Sequence, residues 1–284
     1  MTNQYKIKVR YNANEVDKVK SLMASLNLNT VCNEANCPNI GECSKKKTAT
    51  FMILGKNCTR NCSFCNVTNA KPEYVDENEP RNVALAAKEL GLHHVVVTSV
   101  TRDDLDDGGA EQFKQTILEI KNLCVNATVE VLIPDFLGNT RDIDTVLSAS
   151  PDVLNHNVET VKELYYKVRP QAIYERSLEL LRYCKHTRPD ILTKTGFMVG
   201  LGESFEQIKQ LIKDIAENQV ALLTIGQYLR PSNDHAELVR YATEQDFLEY
   251  KQFAESVGIK HVVSMPLARS SYQSYEALLA GRSK

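Results

Sequence analysis

From residue 48 onward, short runs of nearly continuous apolar residues alternate with longer stretches whose apolar positions recur every three to four residues. The runs Thr48–Leu54, His94–Val100, Thr128–Pro134, Asp152–Asn157, Leu192–Leu201, Ala221–Tyr228 and His261–Met265 predict strands. His94–Val100 (HVVVTSV) is apolar at almost every position, as expected of a parallel strand covered on both faces. Between the strands, Arg81–Leu90, Ala110–Leu123, Asp142–Ser148, Tyr174–Lys185, Phe205–Asn218 and Glu244–Val257 carry helical spacing. Strands alternating with helices imply βαβ units and a parallel sheet. No break in composition divides these units, so the fold class expected is α/β, a partial or closed parallel (β/α) barrel of the TIM-barrel type. A doubly wound open sheet is the competing topology. Gly200-Leu201-Gly202 speaks weakly for it, because the third glycine of a dinucleotide fingerprint is missing and the motif comes late in the chain.

The two ends read differently. Residues 1–47 form an N-terminal extension, with a helical pattern over Val16–Leu28 followed by a cysteine-rich stretch that Pro38 and Gly41 keep irregular. The barrel spans 48–267, and 268–284 is a C-terminal tail. Polar clusters fall at or just past the C-terminal ends of the predicted strands: Cys58–Cys65, Thr98–Asp107, Pro134–Asp135, Asn155–Glu159, Gly200–Glu203 and Gln227–Ser232. In a parallel barrel these ends share one face, which is where active sites are built.

Composition narrows the picture by exclusion. The chain has 284 residues, 43% hydrophobic and 25% charged, with a net charge of -2, so no global charge points to nucleic acid or a membrane surface. No stretch approaches the roughly 20 apolar residues of a membrane span, and Met1–Asn14 lacks the apolar core of a secretory signal. The expected location is the cytoplasm, where eight cysteines favour metal binding over disulfides. Lys45-Lys46-Lys47 reads as a solvated edge, or as a docking point for an acidic partner.

Six of the eight cysteines form two triplets, Cys32-x4-Cys37-x5-Cys43 and Cys58-x3-Cys62-x2-Cys65. Thiolates in such groups are soft ligands suited to zinc or iron–sulfur clusters. Each triplet is one ligand short of four. A zinc site would need a further Cys or His nearby, and His93 and His94 begin a strand at the opposite end of the barrel. Three thiolates can instead hold three irons of a [4Fe–4S] cube and leave the fourth open, and no closing cysteine of the ferredoxin type follows. Cys124 and Cys184 are read as small buried hydrophobes. The acidic run Asp103–Asp107 fails as a calcium loop at Leu105 and Lys114, which stand at the third and twelfth positions.

The second triplet, with Phe64 before its last cysteine, resembles the signature of the radical S-adenosylmethionine (SAM) superfamily. The first, Cys32-Asn-Glu-Ala-Asn-Cys37-Pro-Asn-Ile-Gly-Glu-Cys43, resembles the auxiliary-cluster motif of the lipoyl synthase family. The resemblance continues through Thr98–Ala110, Asn155–Pro170, Lys194–Glu203, Gly226–Leu229 and Arg269-Ser270-Ser271-Tyr272. Two positions depart from it: Ser44 where many members carry tryptophan, and Gln273 where histidine is common.

The resemblance implies two [4Fe–4S] clusters and S-adenosylmethionine as cofactors. One cluster is implied on Cys58, Cys62 and Cys65, and a second, sulfide-donating one on Cys32, Cys37, Cys43 and a serine of the tail. Ser271 is the serine expected, with Ser270 as the alternative, and Arg269 belongs to the same motif. Thr98, Ser99, Asn157, Glu159, Arg169, Lys194 and Gln227 resemble positions that hold adenosylmethionine. Glu159 suits ribose hydroxyls, and Arg169 or Lys194 a carboxylate. The implied reaction inserts two sulfur atoms, at C6 and C8, into an octanoyl chain on a lysine of a lipoyl-carrier protein. Implied partners are that octanoylated carrier (a glycine cleavage H protein or a 2-oxoacid dehydrogenase lipoyl domain) and a ferredoxin or flavodoxin as electron donor. The alternatives are another radical SAM sulfur-inserting enzyme and a non-catalytic iron–sulfur or zinc protein.

Overall fold

The computed structural model describes residues 13–31, 39 and 48–282. Cys32, Cys37 and Cys43, with Ser44 and the Lys45–Lys47 run, lie outside the described residues. Helix α1 (Ala13–Ser25) begins and ends earlier than the expected Val16–Leu28. Asn27 takes a φ of 53° and turns the chain into β1 (Asn29–Thr30), which pairs antiparallel with β2 (Thr48–Ile53). β3 (Asn57–Cys58) and β4 (Thr68–Asn69) form a separate two-stranded ladder.

The remaining strands are β5 (His94–Ser99), β6 (Thr128–Leu132), β7 (Val153–Asn155), β8 (Leu192–Val199), β9 (Leu222–Gln227) and β10 (His261–Ser264). From β2 through β10 every pairing in the large sheet is parallel. The order β1-β2-β5-β6-β7-β8-β9-β10 leaves β1 and β10 as the two ends of the sheet, so the barrel is partial.

Helices follow the strands: α2 (Glu79–Glu89), α3 (Ala110–Leu123), α4 (Thr140–Ser148), the short α5 (Tyr165–Val168), α6 (Tyr174–Thr187), α7 (Phe205–Glu217), α8 (Glu244–Ser256) and α9 (Ser274–Arg282), all but α5 and α9 where the periodicity predicts them. Their starts are chemically marked. Pro80 sits in the first turn of α2, and reciprocal capping boxes, Ser204 with Gln207 and Thr243 with Asp246, open α7 and α8. Ile208, Leu211, Ile212 and Ile215 of α7 are fully or nearly fully buried, so one apolar stripe carries that helix onto the sheet.

Register explains where polar side chains end up. One row crosses the sheet through Met52, Thr98, Leu132, Asn155, Lys194 and Leu222. Thr98 and Asn155 are at or next to the ends of their strands, whereas β8 runs on from Lys194 to Val199. Lys194 is therefore interior, not terminal. Its ammonium lies 2.9 and 3.1 Å from the two oxygens of Glu130, both side chains almost fully buried. Asn155 Nδ2 also donates to Glu130, at 3.3 Å. Burial alone would raise the Glu130 carboxyl, but Lys194 and His94 hold it below the usual carboxylate range. Breaking one partner of such a buried pair leaves an uncompensated charge, which makes this a fixed layer of the barrel.

The chain after β10 first crosses β8 and β9 and then closes the floor. A Cβ on Gly226 would stand 2.2 Å from the Ala268 carbonyl, and one on Gly196 3.5 Å from Ser270 Oγ, so glycine at these strand positions admits the tail. Helix α9 then packs on the N-terminal ends of the strands. Ala277 and Leu278 join Val153 and Leu222, and the Tyr275 ring lies 5.9 Å from that of His94. Only 268–273 of the expected tail thus runs beside the polar face; α9 belongs to the opposite one.

Candidate active site at the carboxyl ends of the strands

The segment after β2 turns sharply at Leu54 and Gly55, both at positive φ, and enters the loop that carries Cys58, Cys62 and Cys65. All three thiols are half-buried and unbridged. Cys58 Sγ accepts two backbone N–H bonds, from Thr101 at 3.3 Å and Arg60 at 3.4 Å. A tight turn links the other two, with Cys65 N–H donating to Cys62 O. The turn is gripped from both sides. Ser63 N–H donates to Val168 O, and Ala236 N–H donates to Ser63 O at 2.7 Å. His235 Nε2 donates to Cys65 O while its Nδ1 accepts from the Ser232 hydroxyl, which fixes the imidazole tautomer. Phe64 packs with Val168, Leu201, Tyr228 and Ala236 beneath the 228–242 connection.

Electrostatics ties the thiols together and to the next two strand ends. Burial pushes the Cys65 thiol up to about 12, with Cys62, Cys58 and Glu159 adding to the rise. Burial also raises the Cys62 thiol, opposed by the Arg169 cation. A soft metal entering this loop must displace these thiol protons, so loading releases acid.

Glu159 and Arg169 form the adjacent wall. Glu159 leaves β7 at a φ of 65° and bridges to β8, its N–H donating to Gly196 O and its carbonyl accepting from Met198 N–H. Burial raises its carboxyl; Arg169, Asn157 and Arg269 pull the other way. Arg169 Nη1 donates to the carbonyls of Asn157 and Val158 and to the Tyr165 hydroxyl, and its guanidinium lies 5.4 Å from the Tyr165 ring centre. Asn157 Nδ2 donates to Glu159 Oε1 at 3.0 Å and to Ser270 Oγ at 2.7 Å. Two buried polar atoms of this wall, Asn157 Oδ1 and Arg169 Nε, together with Ser99 Oγ at the end of β5, have no partner among the described residues. Native proteins pair nearly all such groups, so a polar ligand is the natural complement to this wall.

Three soft thiols in one loop, next to a buried carboxylate, a guanidinium and unpaired amide and hydroxyl groups, match a thiolate-held cluster flanked by an amino-acid-bearing nucleoside. Comparison with known proteins decides which one. The radical SAM superfamily pattern matches residues 52–215. A lipoyl synthase from Caldanaerobacter subterraneus subsp. tengcongensis is 53% identical over 276 residues, 97% of this chain and 97% of that protein. One from Caldicellulosiruptor saccharolyticus is 54% identical over 271 residues, 95% of each. This chain belongs to the lipoyl synthase family.

Solved structures share the fold. The crystal structure of HydG, a maturase of the [FeFe]-hydrogenase, covers 94% of this chain and 73% of its own at a TM-score of 0.57 and 13% identity. That of methylornithine synthase covers 90% and 83% at a TM-score of 0.54 and 14% identity. At such identities the likeness speaks for the fold alone.

Against the lipoyl synthase motifs, the expected site residues divide into three groups. Cys58, Cys62, Cys65, Asn157, Glu159 and Arg169 converge, with Ser99 on the neighbouring strand end. Thr98, Lys194 and Gln227 are committed elsewhere. Thr98 Oγ1 donates to Leu132 O, and Lys194 is paired with Glu130 inside the barrel. The Gln227 amide donates to Val199 O, Tyr228 O and Arg240 O and accepts from Ala242 N–H. Gln227 therefore fastens the 228–242 connection to β8 and β9. Each of the three hydrogen-bonds structural groups because its strand position faces protein, not the mouth.

Arg269 and the two serines lie on the tail. Ser270 reaches Asn157, and Arg269 Nη1 donates to its own Ala268 carbonyl at 2.7 Å. Asn39, from the first cysteine motif, is buried, and its Nδ2 donates to Leu267 O at 2.7 Å. Asn39 thus meets the tail two residues ahead of Arg269.

Sequence reading placed Asp135 and the ranges that hold Arg60, His156 and Tyr165 in this region without giving these residues a role, and it passed over His235. The signal was available for Arg60, which lies between two cysteines, but a charged residue in a loop carries no mark of burial. The acidic run rejected as a calcium loop has other duties: Asp104 pairs with Arg102, Asp107 accepts from Gly109 and Glu111 N–H at the start of α3, and Asp103 pairs with Arg60.

His156, behind Arg169, donates from Nδ1 to Ile133 O and accepts at Nε2 from the Ser177 hydroxyl. Burial and the Arg169 cation lower it from 6.5 to about 4. The unfolded chain takes up a proton near 6.5 that the native protein refuses until about 4, so stability is full above that window and falls as pH drops through it. The expected loss is about 3 kcal/mol from this group, read as the denaturation free energy at stepped pH. His156→Gln should flatten the slope between pH 6.5 and 4; an unchanged slope would remove His156 as its source.

Proposed function

We propose that this chain carries out the family reaction, radical insertion of two sulfur atoms at C6 and C8 of a protein-bound octanoyl-lysine, with the roles of its residues as follows. The observation that carries this reading is the joining of three regions. The thiol loop is fastened beside Arg169, where Ser63 N–H donates to Val168 O, and the Glu159–Arg169 wall meets the tail through Asn157, which touches both Glu159 and Ser270.

Cys58, Cys62 and Cys65 would hold a [4Fe–4S] cluster with one iron open to S-adenosylmethionine; together these supply a 5′-deoxyadenosyl radical able to take hydrogen from an unactivated carbon. The chain fits that group: Cys58 already accepts two N–H bonds of the kind that steady cluster thiolates. Arg169 offers its buried Nε toward a carboxylate, and Glu159 accepts hydroxyl protons. Tyr165 and the Asn157 carbonyl fix the Arg169 fork, so little side-chain freedom remains to be lost on binding. Ser99 Oγ and Asn157 Oδ1 supply further polar contacts.

Cys32, Cys37 and Cys43 would hold the second [4Fe–4S] cluster, closed by Ser271, and its chemistry is to supply sulfide. Support comes from the Asn39–Leu267 hydrogen bond, which draws the first cysteine motif to the tail. Serine oxygen is harder than thiolate and matches iron–sulfur chemistry less well, so Ser271 is the ligand that lets go.

Family members act on lipoyl-carrier domains. The carriers proposed here are an H protein or a 2-oxoacid dehydrogenase lipoyl domain, with a ferredoxin or flavodoxin as donor and the cytoplasm as the location. No helix among the described residues is long and apolar enough to cross a membrane. Anaerobic incubation with dithionite, adenosylmethionine and an octanoylated peptide is expected to yield the lipoylated peptide; unmodified peptide alone would count against the reading.

A further inference from the structure

Arg60 lies inside the thiol loop, yet its side chain is only 5% exposed. Its Nε donates to Asp103 Oδ2 at 2.7 Å and its Nη2 to Asp103 Oδ1 at 2.8 Å, a bidentate fork. The same Nη2 reaches Asp135 Oδ1 at 2.6 Å. Asp135 has no exposed side-chain surface and is shared with Arg176 Nη1 at 3.2 Å and Leu137 N–H. Two guanidinium groups thus face two carboxylates, and the cluster of charges is balanced.

The backbone runs in parallel with this ion network. Thr59 N–H and the Thr59 hydroxyl both donate to Thr101 O, and Asp103 N–H donates back to Thr59 Oγ1. Thr101 N–H and Arg60 N–H then converge on Cys58 Sγ. Residues 58–60 are therefore zipped to 101–103, and the guanidinium is the bolt that holds the two segments in register. The guanidinium is committed to Asp103 in the β5–α3 connection and to Asp135 in the β6–α4 connection.

We infer that Arg60 is a positioning residue for the cluster loop: held between Asp103 and Asp135, it fixes where Cys58 presents its sulfur and which two N–H groups that sulfur accepts. The inference rests on the reading of Cys58, Cys62 and Cys65 as cluster ligands. Because the charges balance, Arg60 works by geometry more than by field. Hydrogen bonds to cluster sulfur are among the levers that set potential and lability. Lysine in its place would keep the charge and lose the fork.

The test uses the full chain carrying Cys32→Ala, Cys37→Ala and Cys43→Ala as the parent, so that only the second triplet can hold iron. After anaerobic reconstitution, Arg60→Lys should still bind iron but release it to a chelator about tenfold faster than the parent, the scale typical of outer-shell metal-site changes. Its reduced-state electron paramagnetic resonance signal should shift or broaden, while its thermal unfolding stays close to that of the parent. Asp103→Asn should behave alike. The double variant should be no worse than Arg60→Lys, because the two act through one contact. Parent-like release and spectrum in Arg60→Lys would overturn the assignment, as would effects that multiply in the double variant. A parent that binds no iron would overturn both the ligand reading and this inference.

Discussion

Replacing Cys58, Cys62 and Cys65 together by alanine is expected to abolish cleavage of adenosylmethionine, to the limit of detection, and to lower iron from about eight to about four per chain. The effect is large because no nearby side chain can substitute. The loop's other polar side chains are engaged: Thr59 and Arg60 bind Asp103, and Ser63 donates to Lys167 O. Glu159 and Arg169 remain in place, so the fold should survive, since Phe64, Val168 and Tyr228 still pack beneath the loop. Iron analysis with a cleavage assay reads both effects at once. Retained cleavage in the triple variant would place the radical chemistry elsewhere. Stoichiometric zinc without iron in the unmodified protein would remove the cluster reading altogether.

Ser271→Ala is expected to separate the two half-reactions. Cleavage of adenosylmethionine should continue near the unmodified rate, and sulfur insertion should fall to background. The geometry of the tail gives this its force. Ser270 Oγ accepts from Asn157 at 2.7 Å, which commits the first of the two serines to the Glu159 side. Ser270→Ala should act the other way: removing the contact with Asn157 disturbs the wall and weakens adenosylmethionine binding. Product mass and 5′-deoxyadenosine yield, measured on both variants, decide the assignment. Full lipoyl product from Ser271→Ala would take that serine out of the reaction, and loss of insertion in Ser270→Ala alone would exchange the two roles.

Much of this architecture is legible in the order of residues. Parallel strands buried on both faces, such as His94–Ser99, write their burial directly as apolar runs, and helices such as Phe205–Glu217 announce themselves by stripe and cap. The thiol spacing survives any uncertainty about the fold, because three soft ligands within one loop have few other uses. What was not legible depends on register. Lys194 and Asn155 share a row, but β8 outruns β7, so a lysine that the family resemblance offers to a carboxylate ligand is an interior partner of Glu130. Gln227 stands at a strand end as expected, yet the 228–242 connection folds back and takes three of its four side-chain hydrogen bonds. Arg60 and Asp103 are far apart along the chain, and only the parallel pairing of β2 with β5 brings their loops together. Pattern fixes which face a residue occupies; it does not reveal what folds over that face.

The tail joins these themes. Gly196 and Gly226 read as ordinary strand glycines, but their missing side chains are the space through which Ser270 and Ala268 approach the sheet. Gln273, at the position where histidine is common in the family, takes a φ of 53° just before α9. Histidine is more at home in that left-handed region than glutamine. The turn that separates the serines from the floor of the barrel thus carries some strain in this chain.

The most direct measurement starts from protein whose clusters are assembled with heavy-isotope sulfide. It is then given dithionite, adenosylmethionine and an octanoylated lysine peptide under anaerobic conditions, and the peptide is read by mass. The expected product has gained two heavy sulfur atoms, with no net loss of hydrogen as the reduced dithiol and two hydrogens fewer once oxidised to the disulfide, in an amount that does not exceed the protein. Product carrying light sulfur, or a peptide left at its starting mass while adenosylmethionine is cleaved, would contradict the assignment of sulfur insertion to this chain's own cysteine-held sulfide.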